Sequence, residues 1–369
     1  MGTPTPAHVL MTADAVGGVW TYATTLAEGL GARGVRITLA VLGPPPRPEQ
    51  LDAVRRLPFV DVCHARFALE WMPGAERDVE RSAEWVLRLV QERRPDVVQI
   101  NGYALATYPL GCPTFLVAHS CVCSWWRAVH GCQAPHAWRT YRQRVDIGLQ
   151  RASRVVAPTA AMLRALRREF RWKGDGLVIH NGLPPPGAPP ASPRVGVLAA
   201  GRVWDAAKNI AVLDTVAPDV DGPVAIAGDA SSPDGSQRLP RHAECLGSLP
   251  RDAVLARMTE TAVYALPARY EPFGLSVLEA AQRGCALVLG DISTLRELWE
   301  GAAVFVQPDD RVGLTRVLNR LVHDPAARQR LAEAARLRAT RYTLAAMVDG
   351  YLRLYRALAR TGEAVPCAS

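Results

Sequence analysis

No stretch of the 369 residues reaches the roughly 18 consecutive apolar residues that a membrane span needs. The N-terminus has no basic segment leading into an apolar one, the pattern of a secretory leader. Both absences lead to the expectation of a cytoplasmic protein. The eight cysteines, at 63, 112, 121, 123, 132, 245, 285 and 367, form no Cys-x-x-Cys and keep no regular spacing. They read as reduced thiols, not as a disulfide framework. Cys121 and Cys123 lie near His119 and His130, yet Cys-x-Cys with histidines at those distances lacks the signature of a tetrahedral zinc site. Zinc-finger spacing, an RNA-recognition motif and a long basic helix with interleaved aromatics are also missing, so nucleic acid is not an expected partner.

Hydrophobic residues make up 49% and charged residues 21%, ordinary values for a globular chain. The net charge of +8 comes mostly from arginine and suits an anionic ligand or an anionic membrane surface. At roughly 150 residues per domain, the length predicts two or three domains. Short apolar strands alternate with helical segments throughout, the pattern of parallel sheets covered on both faces. The first half carries strands over 8–12, 36–42, 96–101, 114–118, 154–157 and 177–180. The second carries them over 195–200, 223–227, 262–266, 286–289 and 303–306. Between the halves, Asn181-Gly182-Leu183-Pro184-Pro185-Pro186-Gly187-Ala188-Pro189-Pro190 cannot continue a helix or a central strand. The expected domains are 1–182 and 195–342, joined by a linker at 183–194. A last amphipathic helical segment, with apolar Ala345, Val348, Tyr351, Leu352, Tyr355 and Leu358, lies within 343–369.

The most specific stretch is Arg269-Tyr270-Glu271-Pro272-Phe273-Gly274-Leu275-Ser276-Val277-Leu278-Glu279. It follows a short apolar strand, and Pro272 favours a first helical turn there. Glu271 then precedes the helix and Glu279 lies about two turns inside it. At about 1.5 Å rise per residue the two carboxylates stand on the order of 12 Å apart along the axis, so they should grip different parts of one ligand. The backbone N–H groups around Phe273, Gly274 and Leu275 sit at the positive helix end, which suits a diphosphate or a sugar hydroxyl. A second element, Gly201-Arg202-Val203-Trp204-Asp205-Ala206-Ala207-Lys208-Asn209, follows the strand at 195–200. Its two cations, Arg202 and Lys208, can neutralise a leaving diphosphate without a metal.

Together these strings resemble the retaining, two-Rossmann-domain glycosyltransferases of family 4. The resemblance implies a GT-B fold: two Rossmann-like parallel-sheet α/β domains facing each other across a cleft, with a C-terminal helix crossing back to the N-terminal domain. It implies a donor domain in the second half and an acceptor domain in the first. It gives Glu271 the transferred sugar, Glu279 the ribose hydroxyls, and Arg202 and Lys208 the phosphates. The implied reaction moves a sugar from a nucleoside diphosphate sugar, UDP- or GDP-linked, to an acceptor hydroxyl with retention. Cell-surface glycan, glycolipid or specialised-metabolite synthesis would be the setting. No cofactor or metal is expected; Asp219-Val220-Asp221, which spells the Asp-x-Asp of metal-dependent glycosyltransferases, falls between a helix and a strand and reads as a turn. A nucleotide-sugar epimerase of the same architecture and a non-catalytic nucleotide-sugar-binding protein are the alternatives.

In the first half, Asp14-Ala15-Val16-Gly17-Gly18-Val19 follows the first strand and opens a helix. Gly17 and Gly18 can bring backbone N–H groups near phosphate or sugar, the place of a glycine-rich loop in the resembled family. His119, after the strand at 114–118, matches a histidine that in that family reaches the transferred sugar. Asn101 and Tyr103 lie beyond the strand at 96–101 and are acceptor-site candidates. Trp125 and Trp126 offer indole faces on which an acceptor sugar could stack, or else they pack in a core. The stretch 162–173 combines five cations with apolar residues; it suits a helix lying on an anionic membrane, or one packing its apolar face on the domain.

Overall fold

The computed structural model describes residues 7–187, 194–232 and 235–361, so residues 188–193 of the expected linker lie outside the described residues. The chain forms two compact units. Of the described residues, one comprises 7–124, 133–182 and 344–361, and the other comprises 125–132 and those within 183–343.

The first unit is built on a seven-stranded sheet in the order β3-β2-β1-β4-β5-β6-β7. Its strands are β1 His8–Asp14, β2 Arg36–Leu42, β3 Val60–Ala65, β4 Val97–Ile100, β5 Thr114–Val117, β6 Val155–Ala157 and β7 Gly176–Val178. All are parallel. The second unit has a six-stranded parallel sheet in the order β10-β9-β8-β11-β12-β13. These strands are β8 Val195–Ala200, β9 Val224–Ala227, β10 Glu244–Gly247, β11 Thr261–Leu266, β12 Ala286–Gly290 and β13 Val304–Val306. Both orders reverse beside the first strand of the unit, between β1 and β4 and between β8 and β11. In open α/β sheets such reversals leave a crevice beyond the carboxyl ends of the strands where ligands bind.

Continuous apolar runs make the central strands because helices cover both faces. In β11, Tyr264 and Leu266 enter one core with Phe273 and Trp299, while Val263 and Ala265 enter the other with Ile210 and Leu314. The edge strands β3 and β10 do not appear in the sequence reading. β3 carries Asp61, Cys63 and His64 and β10 carries Glu244 and Cys245, and neither strand contains a fully buried residue. A strand paired on one side only needs no apolar run, which leaves it without the signal that marks its neighbours.

The helix Leu344–Thr361 belongs to the first unit. Val348, Tyr351, Leu352, Tyr355 and Leu358 are buried, and a side chain at Gly29 would collide with Val348. The helix Ala160–Phe170 likewise turns Met162, Leu163, Leu166 and Phe170 into that unit's core and leaves Arg164, Arg167 and Arg168 outside. Its apolar face is therefore occupied, and its outward side carries the arginines. Among the described residues no helix is long and apolar enough to cross a membrane.

Candidate functional site

In the second unit the site grows from two loops at the reversal between β8 and β11. Gly201 and Arg202 leave β8; Arg269, Tyr270 and Glu271 follow β11. Backbone bonds tie the loops together, with the Arg269 N–H donating to the Ala207 carbonyl at 2.8 Å. Asn209 adopts the left-handed conformation, φ 56°, which asparagine tolerates better than most residues. Its amide donates to the Pro267 carbonyl at 2.9 Å and the Pro308 carbonyl at 2.6 Å, and its oxygen accepts from Arg269. The Lys-Asn pair is thus a cation followed by the clamp that fixes its loop.

Lys208 donates to the buried Glu271 carboxylate. Arg202 donates to Asp205 Oδ2 at 2.7 Å and lies over the Trp204 ring at 5.3 Å. Asp205, 5% exposed, also accepts from the Trp125 indole N–H at 3.0 Å and from the Ala207 N–H at 3.0 Å. Burial pushes the Asp205 carboxyl up. The charges of Arg202 and Lys208, with hydrogen bonds from Arg202 and Trp125, outweigh that and hold it below the usual range. Two cations and two carboxylates therefore alternate along one short surface, an arrangement that can exchange internal ion pairs for the oxygens of a diphosphate.

The helix that follows begins at Leu275, later than Pro272 suggests, because Gly274 at φ 85° departs from the helical path. Glu279 consequently lies about one turn inside the helix, not two. It is 8% exposed, and its Oε1 accepts from Arg251 Nε at 3.0 Å and Nη2 at 2.7 Å. Both arginine donors fall on one oxygen, which leaves Oε2 to accept from a ligand. Phe273 points into the core, edge-on to Tyr342 at 5.7 Å. The Tyr264 hydroxyl, beneath the helix start, donates to the Ala200 carbonyl at 3.0 Å and is bonded to the Ser276 hydroxyl at 2.8 Å. Gly228 is required by close approach: a Cβ there would lie 1.7 Å from the Gly201 carbonyl oxygen.

In the first unit, Gly17 caps the helix Gly18–Gly31 directly beyond β1, and Asp14 Oδ1 accepts from the Val16 N–H at 2.9 Å. A cavity of about 70 Å³ opens beyond β1, β2 and β4, lined by Asp14, Phe67, Glu70, Trp71 and Asn101 among others. Glu70 accepts from the Tyr103 N–H at 3.0 Å and the Ala104 N–H at 2.6 Å, and burial raises its pKa. Tyr103 itself is 2% exposed, so its backbone, not its ring, shapes this edge. His119 stands beyond β5 with its ring edge-to-face on Tyr22, centroids 4.3 Å apart. Desolvation lowers its pKa to about 3, so the imidazole is neutral near pH 7. Its Nε2 is 3.0 Å from Asn101 Oδ1.

Trp125 and Trp126 are half-buried and form an aromatic cluster with His130, Trp126 and His130 having centroids 4.5 Å apart. Trp125 clusters with the second unit, and its indole N–H is committed to Asp205. Asp219 and Asp221 lie on the surface, where Asp221 pairs with His323 at 2.9 Å and the Asp221 N–H donates to Asn319. Among the described residues no group of three or more His, Cys, Asp or Glu side chains is placed to hold a metal ion. Asp205, Arg251 and Glu70 belong to the candidate site and were not singled out by sequence reasoning. Arg251 and Glu70 meet their partners 28 to 34 positions away, and Asp205 takes the Trp125 indole 80 positions away, although its bond to Arg202 is local.

Residues 16–185 match the family model described as Glycosyltransferase Family 4, and residues 224–338 match Glycosyl transferases group 1. A glycogen synthase of Mycobacterium tuberculosis is 34% identical over 190 residues, 45% of each chain. An alpha-D-kanosaminyltransferase of Streptomyces kanamyceticus is 30% identical over 140 residues, 36% of each. The matched region thus spans under half the length of these curated relatives. Among solved structures, a sucrose-phosphate synthase from Thermosynechococcus elongatus superposes with a TM-score of 0.76 at 17% identity, covering 96% of this chain and 99% of that one.

Proposed function

We propose, for a chain that belongs to the family 4, group 1 glycosyltransferases, that it moves a sugar from a nucleoside diphosphate sugar to an acceptor hydroxyl with retention of anomeric configuration. The observation that carries this reading is the linked array Arg202–Asp205 and Lys208–Glu271 at the reversal between β8 and β11, with Glu279 on the adjoining helix. Arg202 and Lys208 take the diphosphate oxygens and stabilise the charge that develops on them as the glycosidic bond breaks. Lys208 then shares or exchanges Glu271, whose carboxylate accepts from a hydroxyl of the transferred sugar. Glu279, held by Arg251 through Oε1, offers Oε2 to a ribose hydroxyl. The N–H groups at the start of the helix Leu275–Gln282 face the donor.

The acceptor is held in the first unit, with the cavity beside Asp14, Glu70 and Trp71 as a subsite for part of it. His119 accepts a hydrogen bond from the transferred sugar through its unprotonated ring nitrogen. No carboxylate is assigned as a covalent nucleophile. The leaving phosphate takes the proton of the attacking hydroxyl on the face it departs from, which preserves configuration. A UDP- or GDP-linked donor, a glycan, lipid or small-molecule acceptor, and reaction in the cytoplasm complete the reading.

The test is a thermal-shift panel of UDP, GDP, ADP and their common sugars on the wild type and Glu279→Ala, without metal. Ligand at about 100 times its dissociation constant adds roughly 2.7 kcal/mol of stability. A shift for one nucleotide that disappears in Glu279→Ala is the expected result. Product formation with an acceptor present, and the anomeric configuration of that product by NMR, separate transfer from epimerisation and from binding alone. No shift with any nucleotide would overturn the donor site.

A further inference from the structure

Asn101 directly follows β4, and its backbone N–H and both polar atoms of its side chain are engaged. Its backbone N–H donates to Thr12 Oγ1 at 2.9 Å, and its side-chain Nδ2 donates to the Thr12 carbonyl at 2.7 Å. A carbonyl can only accept, so the amide orientation is fixed and Oδ1 is the atom that faces His119. That oxygen collects two donors, Gln99 Nε2 at 3.2 Å and His119 Nε2 at 3.0 Å. Gln99 is fully buried and oriented in turn: the Tyr355 hydroxyl donates to its Oε1 at 2.6 Å, and its Nε2 also donates to the Tyr22 hydroxyl at 2.9 Å. The direction of every hydrogen bond is therefore set from the helix Leu344–Thr361, through β4, to the histidine beyond β5.

We propose that Asn101 is a positioning residue that holds His119 in its Nε2–H tautomer, with Gln99 and Tyr355 locking Asn101 from behind. An acceptor oxygen opposite Nε2 requires a proton on that nitrogen, so Nδ1 is left as the single acceptor of the neutral ring. The Tyr22 ring fixes the imidazole plane by its edge-to-face contact. Asn101, which sequence reasoning offers as a contact to the acceptor substrate, spends its side chain inside the protein. The inference rests on the reading that His119 touches the transferred sugar. It specifies how: the ring accepts from a sugar hydroxyl at Nδ1 and donates nothing to it.

Long-range proton–nitrogen NMR on protein labelled with ¹⁵N-histidine, with the His119 signal assigned by its absence in His119→Ala, reads the tautomer directly. The wild type should show protonated Nε2 and bare Nδ1. Asn101→Ala should give a mixture of tautomers and lower kcat by about 10- to 100-fold while the donor KM changes little. Asn101→Asp keeps an acceptor opposite Nε2, so it should retain the Nε2–H form at high pH, but its charge should bring His119 protonation into the measurable range and add an acid limb to the pH profile. A protonated Nδ1 in the wild type, or an unchanged His119 spectrum in Asn101→Ala, would overturn the proposal. Full transfer activity in His119→Ala would instead remove the sugar contact while leaving the tautomer result to stand on its own.

Discussion

The Lys208 ammonium is hydrogen-bonded to the Glu271 carboxylate, and both side chains are largely withdrawn from water, 18% and 9% exposed. Lysine occurs only twice in the chain, at 173 and 208, among 43 basic residues. Removing one member of a buried pair leaves the other charge uncompensated, at a cost on the order of 3 kcal/mol. Lys208→Met and Glu271→Gln should each lower stability in urea melts, and the double variant should be less damaged than the sum of the two by about 0.5–3 kcal/mol. Activity should not recover with stability. A double variant that transfers sugar as well as the wild type would reduce the pair to a structural one.

Arg251 is a test of how Glu279 is held. Arg251→Ala should weaken nucleotide binding in the same direction as Glu279→Ala, because the carboxylate loses both donors on Oε1. Arg251→Lys should restore only part of it, since an ammonium cannot reproduce the paired Nε and Nη2 contacts. Titration calorimetry with the nucleotide identified by the thermal-shift panel would decide; unchanged affinity in Arg251→Ala would show that Glu279 needs no such support.

The pH dependence of stability has a definite sign at His119. Its pKa is about 3 in the folded chain against about 6.5 when unfolded, so between those values the unfolded state binds more protons. Stability should therefore fall as pH drops below 6.5, by at most about 1.4 kcal/mol per unit from this group, and should not respond to it above 6.5. His119→Gln should flatten the loss between pH 6.5 and 5 in thermal melts. An equally steep loss in that variant would assign the effect to other groups, His8 among them, whose pKa burial also lowers.

Gly274→Ala tests the helix start. At φ 85° an alanine is strained, and its Cβ would stand 3.0 Å from Val277 Cγ2 and 3.3 Å from Glu271 Cγ. A loss of about 1–3 kcal/mol is expected, together with reduced transfer because Glu271 is displaced. Wild-type melting and turnover would mean that the loop adopts another path at no cost.

The alternation of parallel strands and helices was legible because central strands are buried on both faces and therefore mostly apolar, as β1, β4, β11 and β12 are. β3 and β10 were not, because an edge strand can keep Asp61 or Glu244 in water. The helix start was misplaced because Pro272 is a local signal, whereas the φ of Gly274 is set by the loop it closes. The motif residues Arg202, Lys208, Glu271 and Glu279 announced themselves by type and spacing. The long-range contacts did not: Asp205 and Trp125 are 80 positions apart, and Asn101 and Thr12 are 89. Sequence order carries no trace of such pairs, and only the folded chain brings them within hydrogen-bond reach.

The helix Leu344–Thr361 makes the first unit discontinuous in the order of synthesis. At about 5–20 residues per second, a ribosome that has finished Gly182 needs about 8–32 s to reach Leu344. Throughout that interval Tyr22, Gly29 and Phe115 wait with the seam for this helix uncovered, and Gln99 lacks the hydroxyl that orients it. Nascent chains arrested before residue 344 should therefore be cut by protease within the first unit and become resistant once the helix has emerged. The tyrosine that orients the histidine network is made only after the whole stretch from Leu183 to Thr343, so a chain interrupted before it cannot assemble that network at all.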